Sequence, residues 1–120
     1  MTVTTYTVYR GTEILNRPNG WEGVPTTVDF DSVTETVDGV KVVKAGTPLN
    51  AVPGEDGKNL ISSAANDATA AGILLSDVFE SYPIGTILKK AYINKERAKE
   101  HSGVEISAAA LGVLPMIVLE

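Results

Sequence analysis

The sequence predicts a mainly β domain with two short helices, a compact small unit that carries an extended N-terminal arm. Three observations favour this fold class: β-branched and small residues are abundant, apolar runs are short, and turn signals recur between them. The length of 120 residues fits one domain, and a hydrophobic content of 43% supplies one core. We expect residues 1–26 to form the arm and residues 27–120 to form the β-rich domain.

The arm is predicted from a run of strand-forming residues that lacks a buried face. Residues 2–9 are almost all β-branched or aromatic, without alternation of apolar and polar positions, so the register of such a strand is weakly set. Two prolines, two glycines and two asparagines within residues 16–25 then mark an irregular segment. An edge strand and loop of the same domain is the alternative that the sequence leaves open.

The aromatic residues of the first thirty positions indicate what the arm does. Four of the seven aromatic residues of the chain lie there. Aromatic side chains on an extended segment often anchor interfaces, although these rings could also pack back on the domain. We predict that the arm contacts a partner through Thr2, Val3, Thr4, Thr5, Tyr6, Thr7, Val8, Tyr9 and Trp21.

Strands and turns are predicted for the first half of the domain. Thr26–Phe30 and Val33–Val37 are strand-like, and Asp38-Gly39 predicts a hairpin turn that returns as Val40–Lys44. Glycine accepts the positive φ that such two-residue turns require. A turn cluster at residues 52–58 and a polar loop over residues 59–68 are expected to follow.

The most apolar stretch in the middle of the chain, residues 70–79, predicts a buried strand. Its apolar surface exceeds what a core of this size requires, so part of it is expected to be shared between subunits of a symmetric oligomer. The residues predicted at that subunit interface are Ile73, Leu74 and Leu75.

The C-terminal part predicts one more strand, two short helices and a closing strand. Residues 86–93 form the strand, and Asn94 is a suitable N-cap for a helix over Lys95–His101. Ser107 is predicted to cap a second helix over Ala108–Leu114, which Pro115 terminates. Residues 116–119 are apolar and are expected to close the core.

The chain offers little for catalysis. It contains no cysteine, and its one histidine, His101, lies at a charged helix end where a solvated role is expected. Glu96 and Glu100 share that helix, but together with His101 they are too few ligands for a metal centre. No recognised catalytic motif is present. We therefore predict no catalytic residue, no cofactor, no metal and no enzymatic activity.

Charge and hydropathy restrict the classes of partner that we expect the protein to bind. The net charge is −5 and the lysines and arginines are mostly scattered, which disfavours nucleic acid as a partner. No apolar run approaches the roughly 18 residues that span a bilayer, so no membrane partner is expected. The N-terminus lacks the features of a signal peptide, which favours synthesis in the cytoplasm.

Three blocks of sequence resemble the head decoration proteins of bacteriophages. They are residues 43–49 (VKAGTPL), residues 66–78 (NDATAAGILLSDV) and residues 107–119 (SAAALGVLPMIVL), in the same order and spacing as in that family. Met116 stands where the family usually has glycine after the proline. The resemblance covers about residues 38–119, whereas the first 37 residues match no pattern.

The resemblance implies a non-catalytic protein of the virion that binds the major capsid protein on the outer surface of the mature head. Such proteins commonly form homotrimers, stabilise the expanded shell and engage it with a flexible N-terminal segment, after synthesis in the host cytoplasm. A self-assembling phage structural subunit, from a tail, a fibre or a head fibre, is the alternative. A small enzyme or ligand-binding domain is a third possibility.

Overall fold

A computed structural model describes residues 14–17 and 19–120 and confirms the predicted fold class, mainly β with two short helices. The strands are β1 Glu22–Val28, β2 Thr36–Val37, β3 Val40–Val43, β4 Pro48–Leu49, β5 Val52–Pro53, β6 Leu60–Ser62, β7 Gly72–Leu74, β8 Val78–Phe79, β9 Ile84–Ile93 and β10 Ile117–Leu119. The helices are α1 Lys95–Ser102 and α2 Ala108–Gly112.

The main sheet is organised around β9, its longest strand. Its order is β4-β7-β9-β1-β6-β5, and β10 pairs with the C-terminal part of β9. β1 runs antiparallel to β9, while β6 runs parallel to β1 and β10 parallel to β9. A smaller sheet has the order β2-β3-β8. Neighbours in the main sheet are therefore mostly distant in sequence, and β1 lies near the sheet centre.

Apolar residues cover both faces of the main sheet. The adjacent residues Ile73 and Leu74 are both fully buried, but they belong to different clusters because successive side chains of a strand point to opposite faces. The helix-side cluster contains Ile14, Leu15, Ala45, Ala70, Ile73, Leu88, Ala91, Ile93, Ala98, Ile106, Ala110, Leu114 and Ile117. The opposite cluster contains Val28, Phe30, Val43, Leu49, Leu74, Val78 and Ile87.

A β-bulge in β9 adjusts which residues reach the helix-side cluster. Glu22 pairs with Lys90 but the next residue, Gly23, pairs with Leu88, so β9 carries one additional residue. The bulge changes the alternation of side chains along the strand. Leu88 and Ala91 therefore both enter the helix-side cluster although they are three positions apart.

Several local predictions are confirmed. Asp38 and Gly39 have φ angles of 54° and 81°, as a type I′ hairpin turn between β2 and β3 requires. The Asn94 side chain accepts a hydrogen bond from the backbone N–H of Arg97, and the Ser107 hydroxyl accepts one from Ala110. Both helices therefore begin at the N-cap residues that the sequence predicts.

The boundary predicted between arm and domain is wrong. Residues 22–26 belong to β1, which has β9 beside it, and Ile14 is fully buried in the helix-side cluster. The folded domain therefore includes the described residues from Ile14 onward. Valines and threonines pair with distant strands here, which no local pattern could reveal. The predicted contact residues Thr2–Tyr9 lie outside the described part of the chain.

Two other element predictions are corrected. The apolar stretch of residues 70–79 forms two short strands, β7 and β8, because the chain leaves the main sheet after Leu74 and joins the small sheet at Val78. The stretch predicted as a loop, residues 59–68, contains β6, which pairs with β1 and β5. The strand expected over Val33–Val37 is limited to Thr36–Val37.

Candidate interaction surface

A row of four side chains crosses four strands of the main sheet, and three of them are exposed. Val52 of β5 pairs with Ile61 of β6, Ile61 pairs with Thr27 of β1, and Thr27 pairs with Ile84 of β9. Paired residues point to the same face, so the four side chains form one continuous line. Val52, Ile61 and Ile84 are 52%, 38% and 53% exposed. We call Val52, Ile61, Thr27 and Ile84 the open face.

The open face belongs to the side of the sheet that the helices cover elsewhere. Ile84 and Leu88 are four positions apart before the bulge and point to the same side, but only Leu88 lies in the helix-side cluster. An apolar line of this kind on a sheet face is typical of a protein interaction site.

Trp21, one of the predicted contact residues, lies on the same face of β1 as Thr27 of the open face. The residue is 39% exposed and directly precedes β1. A methyl group placed on Gly23 would lie 3.4 Å from Cζ3 of the Trp21 ring, which shows that the indole packs over this glycine.

A cleft opens beside the open face where β1 and β6 diverge. The two strands pair only at Thr27 and Val28 of β1, and the cleft lies at the N-terminal side of that pairing. Its volume is about 140 Å³, and the hydroxyl of Thr26, one of its lining residues, lies 2.6 Å from the Ser62 hydroxyl. The lining residues are Pro25, Thr26, Thr27, Lys58, Asn59, Leu60 and Ile84.

The loop that carries Lys58 is held by Asp56. The Asp56 carboxylate accepts hydrogen bonds from the backbone N–H groups of Lys58 and Asn59, at 2.9 and 3.0 Å, and from the Asn59 side-chain amide at 2.6 Å. These hydrogen bonds, led by the one from the Asn59 backbone, hold the pKa of Asp56 below its usual value. Lys58 forms no ion pair with any residue of the described segments, so its ammonium group is available beside the cleft.

A second polar group, which we call the clamp, consists of Asn16, Arg17, Tyr92 and Glu120. Arg17 and Glu120 form a two-point ion pair, and the guanidinium of Arg17 lies 4.2 Å from the centre of the Tyr92 ring. The Asn16 amide also donates to Glu120, at 3.2 Å. The side-chain hydrogen bond from Arg17 is the main cause that lowers the pKa of Glu120. The clamp fixes residues 14–17 against the C-terminal end of β9, where Leu15 faces Ile93.

His101 is not the solvated helix end that the sequence predicted. Its Nε2 lies 2.6 Å from Oδ1 of Asp77, and both side chains are about three-quarters buried. The same carboxylate oxygen accepts the backbone N–H of Ala45 at 2.9 Å. The prediction failed because Asp77 is distant in sequence and reaches α1 only through the fold. The contact ties the β7–β8 connection to the last turn of α1.

The residues predicted at a subunit interface lie inside the fold of the single chain. Ile73 and Leu74 are fully buried within the single chain, and Leu75 is partly buried against the helix-side cluster. They pair with or pack against β9 instead. Val52, Ile61 and Ile84, which are exposed, lie in the predicted turn, in the predicted loop and just before the strand predicted over residues 86–93. Only cross-strand pairing brings these three together.

Within residues 14–17 and 19–120, no three His, Asp or Glu side chains are arranged to hold a metal ion. Neither α1 nor α2, the helices of the described segments, has the length and hydropathy needed to cross a bilayer. No protein-family model matches the chain, and a search of curated proteins found no match either.

Proposed function

We propose that this protein is a non-catalytic capsid decoration protein, which binds the major capsid protein on the outer surface of a phage head and stabilises the shell. The observation that carries the proposal is the open face, an exposed apolar line on a small β domain. The sequence resemblance to phage decoration proteins over about residues 38–119 supports it. The open face gives such a domain a surface with which to contact a neighbouring protein.

The proposed attachment has two parts, the open face and the segment of residues 1–13. The clamp fixes the point at which that segment joins the domain, next to Ile93. An extended segment that adds a strand to a shell sheet gains main-chain hydrogen bonds. If three copies bind as a homotrimer, linked attachment raises the overall affinity by about 10²–10⁴ without new contacts.

Co-sedimentation with purified phage heads of the virus that encodes the chain, unexpanded and expanded, tests the proposal. The wild-type protein is expected to pellet with expanded heads. The double variant Ile61→Thr, Ile84→Ser removes apolar area from the open face. We expect it to bind heads at least tenfold more weakly, which corresponds to a loss of about 1.4 kcal/mol of binding free energy. Val113→Thr changes a similarly exposed valine away from the open face and is the matched control.

The outcomes separate the two proposals that the sequence leaves open. Absence of binding to heads in any state contradicts a decoration function. A self-assembling tail or fibre subunit is favoured instead if the double variant lowers the oligomer mass in light scattering while heads are never bound.

A further inference from the structure

We infer that the cleft between β1 and β6 binds an extended peptide segment in which an apolar side chain and a carboxylate are two positions apart and therefore share one face. The inference rests on the proposed function, because the segment would then belong to the shell protein. It specifies what the open face alone does not: the chemistry of the residues that the partner presents.

The first observation is an unpaired strand edge. β1 has β9 on one side from Glu22 to Thr27, but β6 lies on its other side only at Thr27 and Val28. Among the described residues, no strand pairs with that side of β1 between Glu22 and Pro25. Such an edge can receive an extended segment through main-chain hydrogen bonds. Pro25 lacks an N–H, so the edge offers fewer donors and depends on side-chain contacts for the rest.

The second observation is the apolar part of the cleft. Pro25, Leu60 and Ile84 line it, and Ile84 is also a member of the open face. The volume of about 140 Å³ is similar to that of cavities that admit a group as large as benzene. One aliphatic or aromatic side chain of the bound segment therefore fits, and it becomes continuous with the apolar line of the open face.

The third observation is the charge at the cleft. Lys58 lines it and has no ion-pair partner among the described residues, although the whole chain carries a net charge of −5. The nearby Asp56 carboxylate already accepts three hydrogen bonds and holds the Lys58 backbone in place. An ammonium group beside an apolar cleft selects a carboxylate on the same face of the bound segment as an apolar side chain.

The test is a titration of ¹⁵N-labelled full-length protein, followed by amide chemical shifts, with three capped peptides. These are Ac-Thr-Leu-Thr-Asp-Ser-NH2, the same peptide with Lys in place of Asp, and the same peptide with Ser in place of Leu. The first is expected to shift the amides of Thr26, Thr27, Asn59 and Leu60. The Lys peptide is expected to bind about threefold more weakly, as for an exposed ion pair, and the Ser peptide more weakly still.

Variants identify the role of the ammonium group. Lys58→Met should abolish the preference for the Asp peptide over the Lys peptide, whereas Lys89→Met, at an exposed lysine that does not line the cleft, should keep it. The inference is overturned if the first peptide shifts no amide of the cleft, or if Lys58→Met leaves the preference unchanged. Peptide binding without head binding contradicts only the proposed binding to the shell. Head binding without peptide binding contradicts only the proposed peptide site in the cleft.

Discussion

Arg17 and Glu120 are 103 positions apart in sequence and form a two-point ion pair, with Arg17 Nε 3.0 Å from Oε1 and Nη2 2.7 Å from Oε2 of Glu120. Two parallel hydrogen bonds of this kind fix the orientation of both groups. The pair joins the segment before β1 to the segment after β10, so both neighbours of the C-terminal part of β9 are tied to each other.

The clamp predicts a pH dependence of stability. Because the folded-state pKa of Glu120 is held below its ordinary value of 4.5, the pair contributes stability above that value, and the contribution is lost as the pH falls through the folded pKa. Urea unfolding of the wild type and Glu120→Gln should therefore differ most near neutral pH, and the difference should shrink towards about pH 3. Asp56 and Asp67 also have lowered pKa values. Both residues are present in the wild type and in the variant, so their contributions cancel in the difference between the two unfolding free energies. A difference that grows in acid would contradict the assignment.

Truncation tests where the folded domain begins. Deletion of residues 1–13 should leave a cooperative unfolding transition, because β1, β9 and both apolar clusters lie in the remaining chain. Deletion of residues 1–26 should prevent folding, since it removes Ile14 and most of β1 from the sheet. Far-ultraviolet circular dichroism with thermal melting distinguishes the two. A folded 27–120 fragment would restore the boundary expected from sequence.

Asp77 is predicted to matter more than His101. Asp77→Ala removes the partner of His101 and also leaves the backbone N–H of Ala45, a fully buried residue, without its acceptor, which costs about 1–3 kcal/mol. His101→Ala should cost less, about 1 kcal/mol, because Asp77 keeps the Ala45 hydrogen bond. Chemical unfolding of both single variants and the double variant measures the coupling. Equal costs for the two single variants would mean that the Ala45 contact is unimportant.

Gly72 is predicted to tolerate no side chain. A Cβ at this position would lie 2.6 Å from the carbonyl oxygen of Leu88, on the neighbouring strand. Gly72→Ala must therefore push β7 away from β9, at a cost of about 1–3 kcal/mol. Gly112→Ala is the matched control, because its Cβ meets nothing within 4 Å and alanine favours the helix. Thermal melts should show a loss for the first variant and a small gain for the second.

Features set by nearby residues were predictable from the sequence. The turn at Asp38-Gly39 depends on two residues with positive φ, and the caps at Asn94 and Ser107 depend on residues three positions ahead. Such signals act within one turn of chain, so they survive without knowledge of the fold. The fold class followed from the same local signals together with the composition.

Features set by pairing between distant segments were not predictable. Residues 22–26 of β1 were assigned to an arm because nothing near Val24 or Thr26 shows that β9 lies beside them. His101 was expected in solvent because Asp77 is 24 positions away. The open face was not predicted for the same reason, because Val52, Ile61 and Ile84 are neighbours only across strands. Ile73 and Leu74 were assigned to an interface because apolarity alone does not distinguish a core from a contact between subunits.

The position of β9 also governs how quickly the chain can fold. β7 pairs with β9 from only ten residues earlier, but β1 lies about sixty residues earlier and β10 begins 24 residues after β9 ends, so these two pairings must wait for large loops to close. Closing loops of this length costs conformational entropy before the stabilising contacts form. Proteins dominated by such long-range pairs fold on the order of milliseconds to seconds. During that interval Ile87 and Leu88 lack their neighbours on β1, and that edge of β9 is exposed to other chains. Refolding yield should therefore fall as protein concentration rises, even for a native state that is stable once formed.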